Sequence, residues 1–395
     1  MRAATGRRIL LVVAAALAAC VLAVVVARVA THVYHDDSVW ANGLASLGGV
    51  SEPYDFTIFL DAGNDVLAGR NPYVSPVGFG PTQSPYAYPP VLALAVAPLA
   101  ALPERAAHDT FVPGVLWSLL LLAATVGALL ALGVSDWRCY PIALVSPLVA
   151  EPVEYGAVGP ILLLLCALAW RFRDRAGAAG IALGAAAVLK LFLAPLLLWL
   201  AFTRRLRAAL LGVAVAVALA LGSWAVIGFR GLHGYPHLLR RLTDVEADQS
   251  YSAFAVLRAL GLPKPASEVA VVLAGLALLA LAARAARSPG LGRLEQDRRS
   301  LILTLAAALV LTPILWLHYL VLLLLPIGLA RPRLSPLWLV PLLFAVFEAL
   351  DWYRGWPRGD GKALASVAVL VAVTFAASLR QRVGGAGRRV ATVTT

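Results

Sequence analysis

Apolar runs long enough to cross a lipid bilayer occupy most of this sequence, and short clusters of basic residues separate them. A helix needs about 20 apolar residues to cross the hydrocarbon core of a membrane, which is about 30 Å thick. Helices suit that environment because all of their backbone hydrogen bonds are made within the segment. Hydrophobic residues make up 61% of the chain, compared with about 45–50% in soluble domains. The sequence therefore predicts an all-α, polytopic membrane protein with about 10 to 13 transmembrane helices.

The formal net charge of +12 would suggest a nucleic-acid partner if the protein were soluble. Here the lysines and arginines lie in short clusters between apolar runs, as the positive-inside rule describes for cytoplasmic loops. We therefore expect membrane lipids and no nucleic acid among the partners, a multi-pass protein of the cell membrane, and both termini in the cytoplasm. The basic clusters lie at residues 2–8, 171–175, 204–207, 284–299, 331–333 and 380–389.

The first apolar run, residues 9–30, follows the first basic cluster. It is longer than the apolar region of a signal peptide, and many spans follow, so we interpret it as a retained first span; a cleaved signal peptide is the alternative. It delivers residues 31–88, the longest polar stretch, to the outer side as the first extracytoplasmic loop. We expect residues 1–382 to form a single membrane domain and residues 383–395 a disordered cytoplasmic tail.

Two segments begin and end at basic clusters although they are short for two full spans. Residues 176–203 must therefore enter the membrane and return, or cross twice as short helices, with the tip near Lys190. The same reasoning applies to residues 300–330, where the tip falls at residues 312–319. The number of crossings between residues 91 and 170 stays open. When the basic clusters are assigned to the cytoplasm and the crossings between them are counted, four polar residues fall on the outer side: Asp55, Lys190, Asp248 and His318.

A short amphipathic helix is predicted in the first outer loop, and Asp55 opens it. Apolar residues from Phe56 to Leu67 recur at helical spacing, Gly69 supplies a stop, and Pro72 forbids continuation. We expect this helix to lie along the outer surface of the membrane. An aspartate at a helix start is a good cap, so Asp55 is either a cap or a catalytic carboxylate.

Lys190 and His318 interrupt apolar stretches. A lysine at membrane depth usually has a partner or a water-filled cavity, although a snorkelling side chain is the alternative. Lys190 could meet a phosphate as a point charge. His318 could exchange a proton near neutral pH, or could be an interfacial hydrogen-bonding residue. Seven further residues, all polar or aromatic and located in predicted outer loops or at breaks between apolar runs, are candidates for substrate contacts: Asp61, Tyr73, Tyr88, Glu151, Glu154, Asp248 and Trp316.

Several common sites have no motif in this sequence. There is no Walker P-loop, no His-Glu-x-x-His and no dinucleotide fingerprint after a strand. The cysteines Cys20, Cys139 and Cys166 are too widely spaced for a metal cluster or a disulfide framework. We expect neither a metal nor a cofactor. If the protein uses an activated donor, that donor must arrive through the membrane.

Taken in order, these residues resemble the polyprenyl-phosphate-sugar-dependent glycosyltransferases of GT-C fold, glycosyltransferase family 87. Actinobacterial α-mannosyltransferases that act on phosphatidylinositol mannosides and lipoglycans belong to that family, as do some arabinofuranosyltransferases. The resemblance runs from residue 55 to about residue 330, with two departures: Gly156-Ala157-Val158-Gly159 replaces Gly-Gln-x-Asn, and Tyr319 replaces a second histidine. The matching residues are Asp55, Gly69-Arg70-Asn71-Pro72-Tyr73, Tyr88-Pro89-Pro90, Lys190 and Pro313-Ile314-Leu315-Trp316-Leu317-His318.

The resemblance implies a GT-C-like helical bundle that moves a sugar, most often mannose, from a polyprenyl-phosphate donor to a hydroxyl of a lipid or glycan acceptor. The transfer would take place with inversion on the extracytoplasmic side. Asp55 and His318 would be catalytic, either one being the general base, and Lys190 would meet the donor phosphate. An arabinofuranose donor is one alternative. A transporter or lipid flippase is another, and it would predict paired repeat halves, which the sequence does not show.

Overall fold

Helices of very different length make up this protein. The computed structural model describes residues 54–73, 85–102, 111–345 and 361–379, and no strand occurs among them. The predicted first span, the loop up to residue 53 and the tail from residue 383 lie outside these residues. The helices are α1 (Tyr54–Leu67), α2 (Pro90–Ala100), α3 (Phe111–Ala131), α4 (Cys139–Leu144), α5 (Pro147–Tyr155), α6 (Gly159–Arg171), α7 (Ala176–Leu189), α8 (Leu196–Phe202), α9 (Leu206–Val226), α10 (Tyr235–Glu246), α11 (Ala253–Ala259), α12 (Lys264–Ala285), α13 (Arg293–Leu311), α14 (Leu324–Ala330), α15 (Pro336–Ala345) and α16 (Gly361–Leu379).

Three of the described helices are long and apolar enough to cross a membrane: the segments Val112–Ala131, Leu206–Val226 and Lys264–Ala285. Large apolar side chains on them point outward, and Leu210 and Leu273 are 70% and 61% exposed. Apolar side chains on the outside suit a helix that faces lipid. The predicted all-α membrane protein is confirmed.

Small residues bring α7 and α9 into close contact. A Cβ atom at Gly180 would lie 2.7 Å from the carbonyl oxygen of Ala208, and one at Gly184 would lie 2.5 Å from that of Gly212. The spacing of Gly180 and Gly184 is the small-x-x-x-small pattern with which helices approach in membranes. This packing fixes the course of α7, which ends directly before Lys190.

The predicted reversal of residues 176–203 is confirmed. Asp174 precedes α7 and Arg205 follows α8, yet Arg205 Nη2 and Asp174 Oδ1 are 2.8 Å apart. The chain therefore leaves and returns at the same end of the bundle. Lys190 lies between the two halves with extended backbone (φ −143°, ψ 107°), and a 3-10 turn, Leu191–Leu193, follows it.

The second predicted reversal is also confirmed. The beginning of α13 and the end of α14 line one common cavity, so this segment too returns to its starting end. Between the two helices the chain is extended at Thr312 and Trp316 and then forms a 3-10 helix, Leu317–Leu323, that contains His318. Both tips lie at the opposite end of these segments from the described basic clusters at residues 171–175, 204–207, 284–299 and 331–333.

A buried carboxylate ties the basic ends of the two reversing segments together. Asp297, on α13, is only 3% exposed. Its Oδ2 is 2.7 Å from Arg205 Nη2 and 3.3 Å from Arg173 Nε. Because both guanidinium groups are held by one carboxylate, Asp297 fixes α13 relative to the segment that contains Lys190.

Substitution of Asp297 by asparagine is expected to destabilise the fold by about 3 kcal/mol. It removes the buried carboxylate that two guanidinium groups share and leaves them only the exposed Asp174. A thermal unfolding midpoint measured in detergent should fall by several degrees. The control is Asp244→Asn, which removes an exposed ion pair with Lys264 and should change the midpoint little. Equal midpoints for Asp297→Asn and the unsubstituted protein would show that this network is not a stabilising element.

Candidate active site

Helix α1 places Asp55 in its first turn, facing the interior. The apolar face of α1 is covered by protein, whereas the sequence predicted a helix on the membrane surface. Phe56 stacks on Trp117 with ring centroids 5.3 Å apart, and Phe59 meets Tyr88 edge to face at 5.0 Å. Aromatic contacts of this kind stabilise buried rings beyond the burial of their area. They fix the rotation of α1 and hence the direction of Asp55.

Asp55 and His318 meet although they are far apart in the sequence. Asp55 Oδ2 lies 3.8 Å from His318 Nε2, and the two side chains are 18% and 8% exposed. This distance permits a charge interaction but exceeds the length of a direct hydrogen bond. A carboxylate and an imidazole at this separation, with limited access to water, can together accept a proton from a third group.

Two glycines between α5 and α6 allow this approach. Gly156 has a φ of +71°, and a Cβ atom there would clash with the Cβ atom of Phe56. A Cβ atom at Gly159 would lie 2.5 Å from the carbonyl oxygen of His318. The Gly156–Gly159 break therefore contacts both the neighbour of Asp55 and the backbone of His318. The position at which this chain departs from Gly-Gln-x-Asn thus lies in close contact with both sides of the site.

Lys190 lies over two tyrosine rings. Its Nζ atom is 4.1 Å from the ring centroid of Tyr88 and 4.8 Å from that of Tyr319. The hydroxyl groups of Tyr88 and Tyr319 are 2.7 Å apart and share a hydrogen bond. A partly desolvated ammonium group over ring faces is held by cation–π attraction. The predicted partner of Lys190 is therefore this tyrosine pair together with the charge of Asp55, and a snorkelling side chain is not what the structure shows.

The environment of Asp55 changes its acidity. Burial raises the pKa of the Asp55 carboxyl to about 6; the positive charge of Lys190 opposes this shift, and the negative charge of Glu246 adds to it. A carboxylate with this pKa is still ionised at neutral pH, and it is a stronger base than an ordinary aspartate. Asp55 therefore has the acidity expected of a general base.

Glu246 lies close enough to this site for its charge to act there, whereas Asp248 was the residue predicted from the sequence. Glu246 is the last residue of α10, and its charge acts on both Asp55 and Lys190. Asp248 is 58% exposed and pairs with Arg258. Helical spacing could have indicated Glu246 as a site residue. Glu246 follows Leu242 by four residues, and both lie on the less exposed face of α10.

Tyrosines behind the site hold the loop before α2. The Tyr73 hydroxyl donates a hydrogen bond to the carbonyl oxygen of Tyr88 at 2.8 Å, and the Tyr73 ring stacks on Trp224. The Tyr235 hydroxyl donates to the carbonyl oxygen of Ala87 at 3.0 Å. Tyr73 therefore positions the backbone of Tyr88, and Tyr88 in turn supports Lys190.

Comparison with known proteins identifies the chain. The model of glycosyltransferase family 87 matches residues 86–315, which is more than half of the sequence. The chain belongs to glycosyltransferase family 87. It is therefore a glycosyltransferase, and the resemblance drawn from the sequence is confirmed.

A curated relative of this family 87 chain comes from Mycolicibacterium smegmatis. It is named polyprenol-phosphate-mannose-dependent alpha-(1-2)-phosphatidylinositol mannoside mannosyltransferase, and it is 28% identical over 306 residues. The match covers 70% of this chain and 69% of the relative. No solved structure matches the chain.

The other predicted site residues of this family 87 glycosyltransferase lie at different distances from Asp55 and His318. Glu151, which is buried, and Glu154 belong to α5, which packs against the 3-10 helix that contains His318. Trp316 is partly buried and precedes that helix directly. Asp61 lies on the exposed face of α1. The structure thus brings together Asp55, Lys190, Tyr88 and His318, and places Asp61 and Asp248 away from them.

Proposed function

We propose that this protein transfers a mannosyl residue from a polyprenyl-phosphate donor to a hydroxyl group of a lipid or glycan acceptor, with inversion at the anomeric carbon. The observation that carries the proposal is the 3.8 Å approach of Asp55 and His318 beside Lys190, whose charge acts on Asp55. These groups supply a proton acceptor and a cation, the two functions that transfer from a phosphate-linked sugar requires.

The donor assignment rests on two supports. The relative from Mycolicibacterium smegmatis is named as dependent on polyprenol-phosphate-mannose. In addition, the sequence contains no nucleotide-binding fingerprint. A lipid-linked donor reaches the site by diffusion within the bilayer, so no soluble nucleotide-binding domain is needed. The name of the relative further suggests an inositol-phospholipid glycoside as the type of acceptor.

The catalytic step requires one bond to form and one to break. Asp55, or His318 acting with it, takes the proton from the acceptor hydroxyl while the oxygen attacks the anomeric carbon. The bond between that carbon and the phosphate oxygen breaks, and polyprenyl phosphate leaves with the electron pair. Lys190 Nζ stabilises the negative charge that develops on the phosphate. A single displacement converts a β-linked donor into an α-linked product.

The basic clusters support an extracytoplasmic site. The four clusters that the structure describes, at residues 171–175, 204–207, 284–299 and 331–333, gather at the end of the bundle that contains the Asp297 network. The tips with Lys190 and His318 lie at the other end. By the positive-inside rule the basic end faces the cytoplasm. We propose on this basis that transfer takes place outside, that both termini are cytoplasmic, and that residues 1–382 form one multi-pass domain.

A transfer assay tests the function. The purified full-length protein in proteoliposomes is given labelled polyprenyl-phosphate mannose, polyprenyl-phosphate arabinofuranose or a mannose nucleotide, together with a phosphatidylinositol mannoside acceptor. We expect label to pass to the acceptor from the mannose lipid and not from the nucleotide. If label passed only from the arabinofuranose lipid, the donor sugar would be arabinofuranose and not mannose. If label passed only from the nucleotide, the proposal of a lipid-linked donor would be refuted.

A further inference from the structure

A concave site lies at the basic end of the bundle, remote from Asp55 and His318. It is a cavity of about 550 Å³ formed where the end of α6 meets the beginning of α13 and the end of α14. Helix α6 connects the two sites, because Gly159 at its start approaches His318 and Trp170 near its end lines the cavity. Its 13 residues span about 20 Å at 1.5 Å per residue.

Three arginines and one glutamate give the lining an excess of positive charge. Arg298 is 3% exposed; it makes two hydrogen bonds to Glu295, at 2.7 and 2.6 Å, and donates to the carbonyl oxygen of Ser378. Arg173 pairs with Asp297 and lies over the ring of Trp170. Both guanidinium groups are therefore held in fixed positions at the wall of the cavity.

Arg293 differs from the other two arginines. It is exposed at the rim, and within the described part of the chain no carboxylate lies within 4.0 Å of its guanidinium group. Its charge acts on Asp174, but without a close ion pair the guanidinium group can contact a ligand. A guanidinium group has the geometry to bind a phosphate through two hydrogen bonds.

The remaining wall is apolar. Leu132, Leu329 and Trp170 line the cavity, and Leu294 at its rim is 60% exposed. A site lined by both arginines and leucines matches an amphiphile with an anionic head and hydrocarbon chains. Basic pockets between transmembrane helices on the cytoplasmic side bind the head groups of anionic lipids in this way.

We propose that this cavity binds the phosphate head group of an anionic membrane lipid, with Arg293 contacting the phosphate and Leu294 the acyl chains. The site is separate from that of sugar transfer, because Asp55, Lys190 and His318 are not among the residues that line it. Its occupant reinforces the packing of α6, α13 and α14, so binding should raise the thermal stability of the whole protein.

The test is a lipid titration of the full-length protein in neutral detergent, with bound lipid counted by native mass spectrometry and unfolding followed by temperature. Phosphatidylglycerol, phosphatidylcholine with the same acyl chains, and inorganic phosphate are compared. We expect saturable binding and a higher unfolding midpoint with phosphatidylglycerol only. Arg293→Gln should raise the half-saturating phosphatidylglycerol concentration by about fivefold, the effect of one basic residue on an anionic lipid.

The matched control is Arg287→Gln, which removes the same charge from an exposed position in the same basic cluster but outside the cavity. It should bind phosphatidylglycerol as the unsubstituted protein does. If both substitutions weakened phosphatidylglycerol binding equally, binding would depend on the general surface charge, which would contradict a specific site at Arg293. An unchanged titration for Arg293→Gln, or equal stabilisation by inorganic phosphate, would overturn the proposed lipid site.

Discussion

Asp55→Asn is expected to lower the rate of sugar transfer by about 10²–10⁴-fold, the usual contribution of a general base. Asparagine has the same shape as aspartate but cannot accept the proton of the acceptor hydroxyl. The packing of α1 depends on Phe56 and Phe59, so the variant should remain folded. The measurement is the initial rate of transfer at saturating polyprenyl-phosphate mannose, together with the unfolding midpoint.

A control on the same helix is Asp65→Asn, which removes the ion pair between Asp65 and the exposed side chain of Arg70. It should keep transfer within about twofold, because ion pairs of this type contribute little to stability. Full activity in Asp55→Asn would remove Asp55 from the mechanism. Equal losses in both variants would indicate a general effect of substituting α1.

The pH profile gives a second readout of the same residue. Since burial raises the pKa of Asp55 to about 6, the basic form predominates above that pH and declines below it. The rate of transfer should fall about tenfold for each pH unit below about 6. A profile that stays flat from pH 7 down to pH 5 would exclude a carboxylate with this pKa as the base.

Gly159→Ala is expected to lower kcat by about 100-fold, because misplacement of a catalytic group by about 1 Å can have an effect of that size. The added Cβ atom would lie 2.5 Å from the carbonyl oxygen of His318 and 2.9 Å from Val321 Cγ1. The backbone of His318 must therefore move relative to Asp55. The KM for the donor should change little, because the donor phosphate is bound at Lys190 in the proposed mechanism.

Gly177→Ala and Gly222→Ala are the matched controls, since a Cβ atom at either position has nothing within 4 Å. Both should keep the activity of the unsubstituted protein. A Gly159→Ala protein with unchanged kcat, or one in which KM alone rises, would contradict the positioning role of the break between α5 and α6.

Much of this architecture could be predicted from the sequence. The two reversing segments follow from length and charge: a stretch such as residues 176–203, with basic clusters at both ends, has too few residues for two full spans. The helix that begins near Asp55 follows from apolar spacing and from the stop at Gly69, which has a φ of +67°. These signals are local, and so they are visible in one sequence.

The contacts across the site could not be predicted in this way. The position of Glu246, and not Asp248, near Asp55 depends on how α10 is rotated against its neighbours, and a two-residue step on a helix changes the direction of a side chain by about 200°. The role of Gly156 and Gly159 depends on which residues pack against them, which no periodicity encodes. The role of Tyr73 in substrate contact stays a prediction; the hydrogen bond that its hydroxyl donates to the carbonyl oxygen of Tyr88 is a contact that no local pattern encodes.

Asp297 has a consequence for how this enzyme can vary in length. Asp297 connects the basic ends of the two reversing segments, and the opposite ends of these segments contain Lys190 and His318. The lengths of the two segments, counted from Asp297, therefore set how far the ammonium group of Lys190 and the imidazole of His318 lie from the basic end of the bundle. Loss of one residue from either helix would retract one tip by about 1.5 Å and turn it by about 100°. Insertions and deletions should therefore be excluded from residues 176–203 and 298–318, while the connections outside them remain free to change.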